Sequence, residues 1–351
     1  MKILVAGDVH WSSYSSILRS RGERYSTRLE YLIQSLNWVE DMASLKNCDA
    51  VVFLGDFFDR AELNSEEITA LKEVHFRDRI QHYFLVGNHE AGKASLNIST
   101  AHLFNLSNNI TVCDTPVIRE DEYDNTLVFL PYILESNRLP LTEYLPPVST
   151  NLIVFSHNDI KGMQMGKFFS KEGFSIEEIE SNCRLMVNGH LHNGSTVGRN
   201  IINLGNLSGQ NFSEDADVCR HNVLLLDTSN FSAEWYENPY ALNFYKLDFT
   251  SCSEADASNI SKRISSLTNA VCTVKVNDEV KPIVEHILEN NAQNIIERRL
   301  IVEHSTCPTE TVSVNKLSGD YVQQFAEFVK ENVAACPEFY EELLYITAGV
   351  K

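Results

Sequence analysis

A layered α/β fold is predicted for this chain by three observations. Short apolar runs recur through its first two thirds, all but one of them give way to Gly, Asn or Ser, and helix-period patterns separate the early ones. The runs are "KILVAGD", "DAVVFLGD", "HYFLVGN", "TLVFLPY", "NLIVFSH" and "RLMVNGH". None alternates in polarity, which is how strands buried on both faces read.

The elements follow in order. After the first run, Leu29, Leu32, Ile33, Leu36 and Val39 recur at spacings of three and four, which predicts an amphipathic helix, and a second helical pattern lies around Ile68 and Leu71. Beyond about residue 235 the texture changes. "FYKLDFT", a polar helix candidate at 254–268, "AVCTVKV", a helix candidate at 281–293 and "NIIERRLIV" read as a small α/β unit of its own. The expected division is 1–235 as the main domain, 236–310 as a smaller one and 311–351 as a helical tail. In that tail Tyr321, Phe325 and Phe328 share a helical face, Pro337 forces a break, and Phe339, Leu343 and Ile346 line a second short helix.

At 351 residues and 43% hydrophobic content the chain can bury a large core. No apolar run approaches the ~20 residues that a membrane span needs, and "MKILVAGD" carries no signal-peptide cleavage pattern, so a cytoplasmic location and no membrane partner are expected. The eight cysteines are scattered without a CxxC pair, which fits reduced thiols. A net charge of −19 opposes any broad electrostatic grip on nucleic acid.

The runs share a chemical property at their C-terminal ends. In order they deliver Asp8 and His10 from "GDVH", Asp56 from "GDFFDR", Asn88 and His89 from "GNHE", His157 from "FSHND", and His190 and His192 from "GHLH". Carboxylate, imidazole and amide oxygen suit borderline-to-hard divalent ions such as Mn²⁺, Fe²⁺ or Zn²⁺, and no thiolate is among them. In layered α/β folds the carboxyl ends of strands are where sites assemble. Any one of these motifs is commonly turn chemistry, but five in succession, each on its own apolar strand, predict a metal site.

These five blocks resemble the signature blocks of the calcineurin-like metallophosphoesterases, over about residues 1–230. The resemblance implies a four-layer arrangement, a two-layered β-sandwich flanked by helices, with two divalent metals at one end, Mn²⁺ foremost. By motif, Asp8, His10 and His192 would hold one ion and Asn88, His157 and His190 the other, with Asp56 shared. His89 would be a non-ligand catalytic acid, with Asp59 and Glu90 as supporting carboxylates.

Further features favour a nuclease over a small-molecule or cyclic-nucleotide phosphodiesterase, or over a non-catalytic scaffold. Arg19, Arg21, Arg24 and Arg28 cluster after the first motif and suit phosphate contacts. The segment "IINLGNLSGQNFSED" (201–215) resembles the one that follows the last metal motif in SbcD-type nucleases, the exonuclease subunits of break-repair complexes. The 236–310 unit and the tail stand, in order and size, where that family has its capping domain and its segment for docking on a coiled-coil ATPase of SbcC type. DNA, that ATPase and a second copy of the chain are the partners this resemblance implies.

Overall fold

The computed structural model describes residues 1–303 apart from 93–94, 148–150 and 166–167; the expected tail, 311–351, lies outside the described residues. Two six-stranded mixed sheets form the centre. In the first, the order is Ser232–Glu237, Asn222–Asp227, Lys2–Ala6, Ala50–Phe53, Gln81–Leu85, Ile110–Cys113. The last four run parallel, with Ile3 opposite Ala50 and Val51 opposite His82, and Asn222–Asp227 joins antiparallel to Lys2–Ala6. In the second, the order is Ser195–Val197, Ile201–Asn203, Leu185–Asn188, Leu152–Ser156, Thr126–Leu130, Val117–Glu120. Its four inner strands are again parallel.

The apolar runs are buried because each sheet is covered on both faces. Ile3, Val5, Val52, Leu54, Tyr83 and Leu85 pack against Leu127, Phe129, Ile153, Phe155 and Val187 in a layer between the sheets. The alternate residues Leu4, Ala6, Val51, Phe53 and Phe84 face the helix Thr27–Leu45 through Leu29, Leu32, Leu36 and Val39. Val128, Val154 and Met186 take the outer face of the second sheet, under Leu141, Phe174 and Ile179 of the helix Ile176–Asn182 and its neighbours. Helix, sheet, sheet and helix are the four layers that the sequence led us to expect.

The second expected helix is short, Ser65–Leu71, and Ile68 on it is 46% exposed rather than part of the core. Its N-terminus explains why so short an element persists. Asn64 accepts from the Glu67 amide while Glu67 returns a bond to the Asn64 amide, satisfying two orphan donors at once.

Beyond the sandwich, strands Asn243–Phe249, Ala270–Asn277 and Ile295–Glu303 form a parallel three-stranded sheet, with helices Ala257–Ser265 and Lys281–Asn290 as the crossovers. Leu247, Val274 and Val276 meet Ile260, Ile264, Val284 and Leu288 in a core of their own. Phe244 and Val271 instead pack with Leu18 and Leu242, next to Phe212. The described cysteines, Cys48, Cys113, Cys183, Cys219, Cys252 and Cys272, are all free. Among the described residues no helix is long and apolar enough to cross a membrane.

Candidate metal centre

Five parallel strands end at one edge of the sandwich, and the residues that follow them converge there. Lys2–Ala6 leads into Asp8 and His10, Ala50–Phe53 into Asp56, Gln81–Leu85 into Asn88 and His89, Leu152–Ser156 into His157, and Leu185–Asn188 into His190. Backbone bonds tie these loops together. The amides of Val9 and His10 donate to the Asp56 carbonyl at 3.2 and 2.9 Å, and the Leu207 amide donates to the Asp8 carbonyl at 2.8 Å.

The loops turn more sharply than most side-chain-bearing residues allow. His10, Asp56 and His190 all sit in the left-handed region, at φ of 50°, 45° and 74°. Strain of this kind persists only where the surroundings over-determine it, and it gathers at functional sites. The glycines before the ligands leave room for the crowding. A Cβ at Gly55, itself at φ +108°, would lie 2.5 Å from the His157 ring, and one at Gly189 would lie 2.6 Å from Asp8 Oδ1.

Two groups of donor atoms result. Ligand atoms of Asp8, His10 and His192 lie within 4.8 Å of one another, and so do those of Asp56, His157 and His190. Asn88 belongs with the second group, its Oδ1 being 3.1 Å from His157 Nε2. His10, Asp59 and His89 make a third, overlapping group.

The tautomers fixed by the surroundings test whether these groups suit a cation. His157 Nδ1 donates to the Leu54 carbonyl at 2.8 Å, so in the neutral ring Nε2 presents a lone pair to Asn88 Oδ1 at 3.1 Å and Asp56 Oδ2 at 3.2 Å. His192 Nδ1 donates to Glu214 Oε1 at 3.0 Å, which leaves its Nε2 facing His10 Nε2 at 3.1 Å. Asp8 Oδ2 and His190 Nδ1 are buried with no hydrogen-bond partner. Ring nitrogens crowded against carboxylate and amide oxygens and against each other, together with orphaned buried atoms, fit a bound positive charge. A proton can stand in for it at His157: burial lowers that imidazole, but the Asp56 and Asp8 carboxylates outweigh burial and push it up to about 9.

The remaining oxygens hold the donors in place. Asp8 Oδ1 accepts from the His190 amide at 3.1 Å and Asp56 Oδ1 from the His89 amide at 2.9 Å, leaving one oxygen of each carboxylate for the centre. Asp59 Oδ1 lies 3.2 Å from His10 Nδ1. Fully buried Glu90 accepts from Gly87 at 2.8 Å and Phe58 at 2.9 Å, joining two ligand loops, and burial with the nearby Asp56 charge pushes its carboxyl up to about 8. His89 is exposed, its Nδ1 donating to the Asp59 carbonyl at 3.1 Å, so Nε2 is the nitrogen left for a substrate.

Two orienting carboxylates escaped the sequence reading. Glu214 holds His192, and Asp159 lies 3.3 Å from His190 Nε2, which leaves Nδ1 of that ring for the centre. The signals were the "SED" closing the 201–215 segment and the "HND" beginning at His157. Such partners fix ring orientation and typically carry about 10–100-fold in metal affinity. Glu214→Ala is therefore expected to weaken Mn²⁺ binding by about that factor in calorimetric titration, with the fold retained; unchanged affinity would leave Glu214 a purely structural residue.

The arginine cluster does not stay together. Arg28 is a correction: it is buried, and its guanidinium donates to the His10 and Gly209 carbonyls at 3.1 and 3.3 Å, so it braces the first ligand loop from within and cannot touch DNA. Arg21 and Arg24 are exposed but paired, with Glu66 at 3.1 Å and Glu73 at 2.6 Å. Arg19 is exposed without an ion pair among the described residues.

Comparison with known proteins bears on the same region. Residues 1–194 match the family described as calcineurin-like phosphoesterase. Among solved structures, the crystal structure of a dimetal phosphatase from Danio rerio is similar with a TM-score of 0.39 and 12% identity, covering 68% of this chain and 99% of that one. No curated protein matches the chain.

Proposed function

The chain belongs to the calcineurin-like phosphoesterase family, and from that premise we infer that it is a two-metal DNA nuclease of SbcD type. The observation that carries the hydrolytic part is the convergence of two groups of carboxylate and imidazole ligand atoms, each group within 4.8 Å, with Asp8 Oδ2 and His190 Nδ1 buried and unpartnered. Asp8, His10 and His192 would hold one ion, Asn88, His157 and His190 the other, with Asp56 between. Bound there, two divalent ions supply Lewis acidity toward a phosphodiester and lower the pKa of water at the site.

The chain's own groups do the rest. Leu54, Asp159 and Glu214 hold three of the rings so that each offers the centre one nitrogen, and Asp59 lies 3.2 Å from Nδ1 of the fourth, His10. His89, outside both ligand sets and anchored through Nδ1, is placed to give a proton from Nε2 to the departing oxygen. Burial of Asp8 and Asp56 keeps bulk water from screening their charge.

What supports DNA as the substrate is the order of elements after the last motif: a loop that returns Glu214 to the centre, then a parallel α/β unit. A small phosphodiester is the second reading, favoured by the net charge of −19 and by the pairing of Arg21 and Arg24. Digestion of end-labelled duplex DNA with Mn²⁺, beside a chromogenic diester, separates them. DNA shortened from its ends is the expected result, and turnover of the chromogenic diester alone would leave only the second reading. The SbcC-type ATPase as partner, docked through 311–351, and a homodimer belong to the same proposal. Co-purification with and without 311–351 tests the docking.

A further inference from the structure

We propose that Arg28 is a positioning residue for one of the two metal ions: its buried guanidinium pins the His10 loop to the loop that carries Glu214, and the group of Asp8, His10 and His192 holds its ion tightly only with that fork in place. The proposal rests on the two-metal reading and is independent of whether the substrate is DNA.

Arg28 stands in the first turn of the helix Thr27–Leu45 and is the one buried arginine or lysine among the described residues. A buried charge is costly unless its donors are met. Burial pulls the guanidinium below the usual arginine range, and the charges that oppose this are those of Asp59 and Glu214. Its hydrogen bonds go to neither carboxylate. They go to the His10 carbonyl at 3.1 Å and the Gly209 carbonyl at 3.3 Å, one on each of two loops that are 199 residues apart in sequence, as 209 − 10.

Both peptides that it holds are also held at their other end. The His10 carbonyl shares a peptide with the Trp11 amide, which donates to the Phe57 carbonyl at 2.7 Å, one residue beyond Asp56. The Gly209 carbonyl shares one with the Gln210 amide, which donates to Glu214 Oε2 at 3.0 Å. Glu214 Oε1 in turn accepts from His192 Nδ1 at 3.0 Å. Hydrogen bonds in such a chain reinforce one another. One guanidinium therefore acts on both imidazoles of the first donor group: on His10 through its own carbonyl, at a residue held at φ 50°, and on His192 through Gly209, Gln210 and Glu214. Gly209 has little freedom to drift from it, since its amide donates to the Leu242 carbonyl at 3.0 Å and a Cβ there would lie 2.4 Å from that oxygen.

The second donor group is served differently. The Leu54 carbonyl and Asp159 hold its rings, and Arg138, whose charge acts on Asp159, is paired with Glu135 at 2.6 Å. Loss of Arg28 should thus be felt by one ion and not by the other.

The test is calorimetric titration of the whole chain with Mn²⁺, wild type beside Arg28→Met and Arg28→Lys, with thermal melting as the check on folding. Wild type should bind two ions. Arg28→Met should weaken one of them by about tenfold or more, within the range of about 10–100-fold that groups orienting ligands carry, and leave the other as it was. Lysine keeps the charge but cannot fork to two carbonyls, so Arg28→Lys should restore only part of the loss. The sign separates positioning from charge. A cation beside a metal ion repels it, so a guanidinium that acted through charge alone would give tighter binding when removed. Background variants identify the ion. In a chain whose first group is disabled by Asp8→Asn, adding Arg28→Met should leave the remaining affinity unchanged; where Asn88→Ala disables the second group, it should weaken the remaining ion by the same factor as in the wild-type background. Unchanged or tighter binding in Arg28→Met, equal weakening of both ions, or failure of both Arg28 variants to fold would overturn the proposal. Wild-type protein that takes up fewer than two ions under Mn²⁺ excess would overturn the two-metal reading on which it stands.

Discussion

Asp56→Asn is expected to lower phosphodiester hydrolysis by at least about 10³-fold, beyond the 10–100-fold typical of groups that only orient ligands. The side chain is 2% exposed, with Oδ2 3.2 Å from His157 Nε2 and Oδ1 fixed by the His89 amide. Asn is nearly isosteric and is among the few residues that tolerate a φ of 45°, so the loop should keep its course. What is lost is the negative charge beside His157 and His190 in the second group of donors. Elemental analysis should find metal content reduced, alongside the loss in turnover of a chromogenic diester. Full activity with both ions present would remove Asp56 from the centre.

His89→Ala should separate chemistry from metal binding. General acid assistance is typically worth about 10²–10⁴-fold, and turnover should fall by that order while metal content stays near wild type. The reason is geometric: His89 reaches the first loop only by ring contact with His10 at 4.8 Å, and its Nδ1 is already engaged by the Asp59 carbonyl. A substrate whose leaving group departs readily as an anion needs less protonation. The loss should accordingly be smaller for a nitrophenyl diester than for DNA. Equal losses on both, accompanied by missing metal, would make His89 a ligand through the group it forms with His10 and Asp59.

Much of the donor set was legible because it is built from local signals. An apolar run buried on both faces shows as an unbroken stretch of Val, Ile, Leu and Phe, and the residue that follows such a strand sits at the edge of the sheet by construction. Asp8, Asp56, Asn88, His157 and His190 were therefore placed at one edge by the pattern of their own neighbours. The layered α/β class followed from the same runs and from the helix-period spacing of Leu29, Leu32, Leu36 and Val39, and the four-layer arrangement from the family resemblance.

The arginines and the orienting carboxylates were decided elsewhere. Arg19, Arg21, Arg24 and Arg28 look alike along the chain, yet one is buried on carbonyls, two are neutralised by Glu66 and Glu73, and one is exposed with no ion pair among the described residues. Asp159 and Glu214 stand 31 and 22 residues from the histidines they hold, as 190 − 159 and 214 − 192, and no periodicity links such positions. Strand residues are fixed by a period of two and a shared edge, so the sequence by itself determined the sheets and the residues at their ends. Loop side chains have no period, and their direction depends on what packs against them from distant parts of the chain. Only the tertiary structure decided which charges meet the centre, which cancel one another, and which stay exposed.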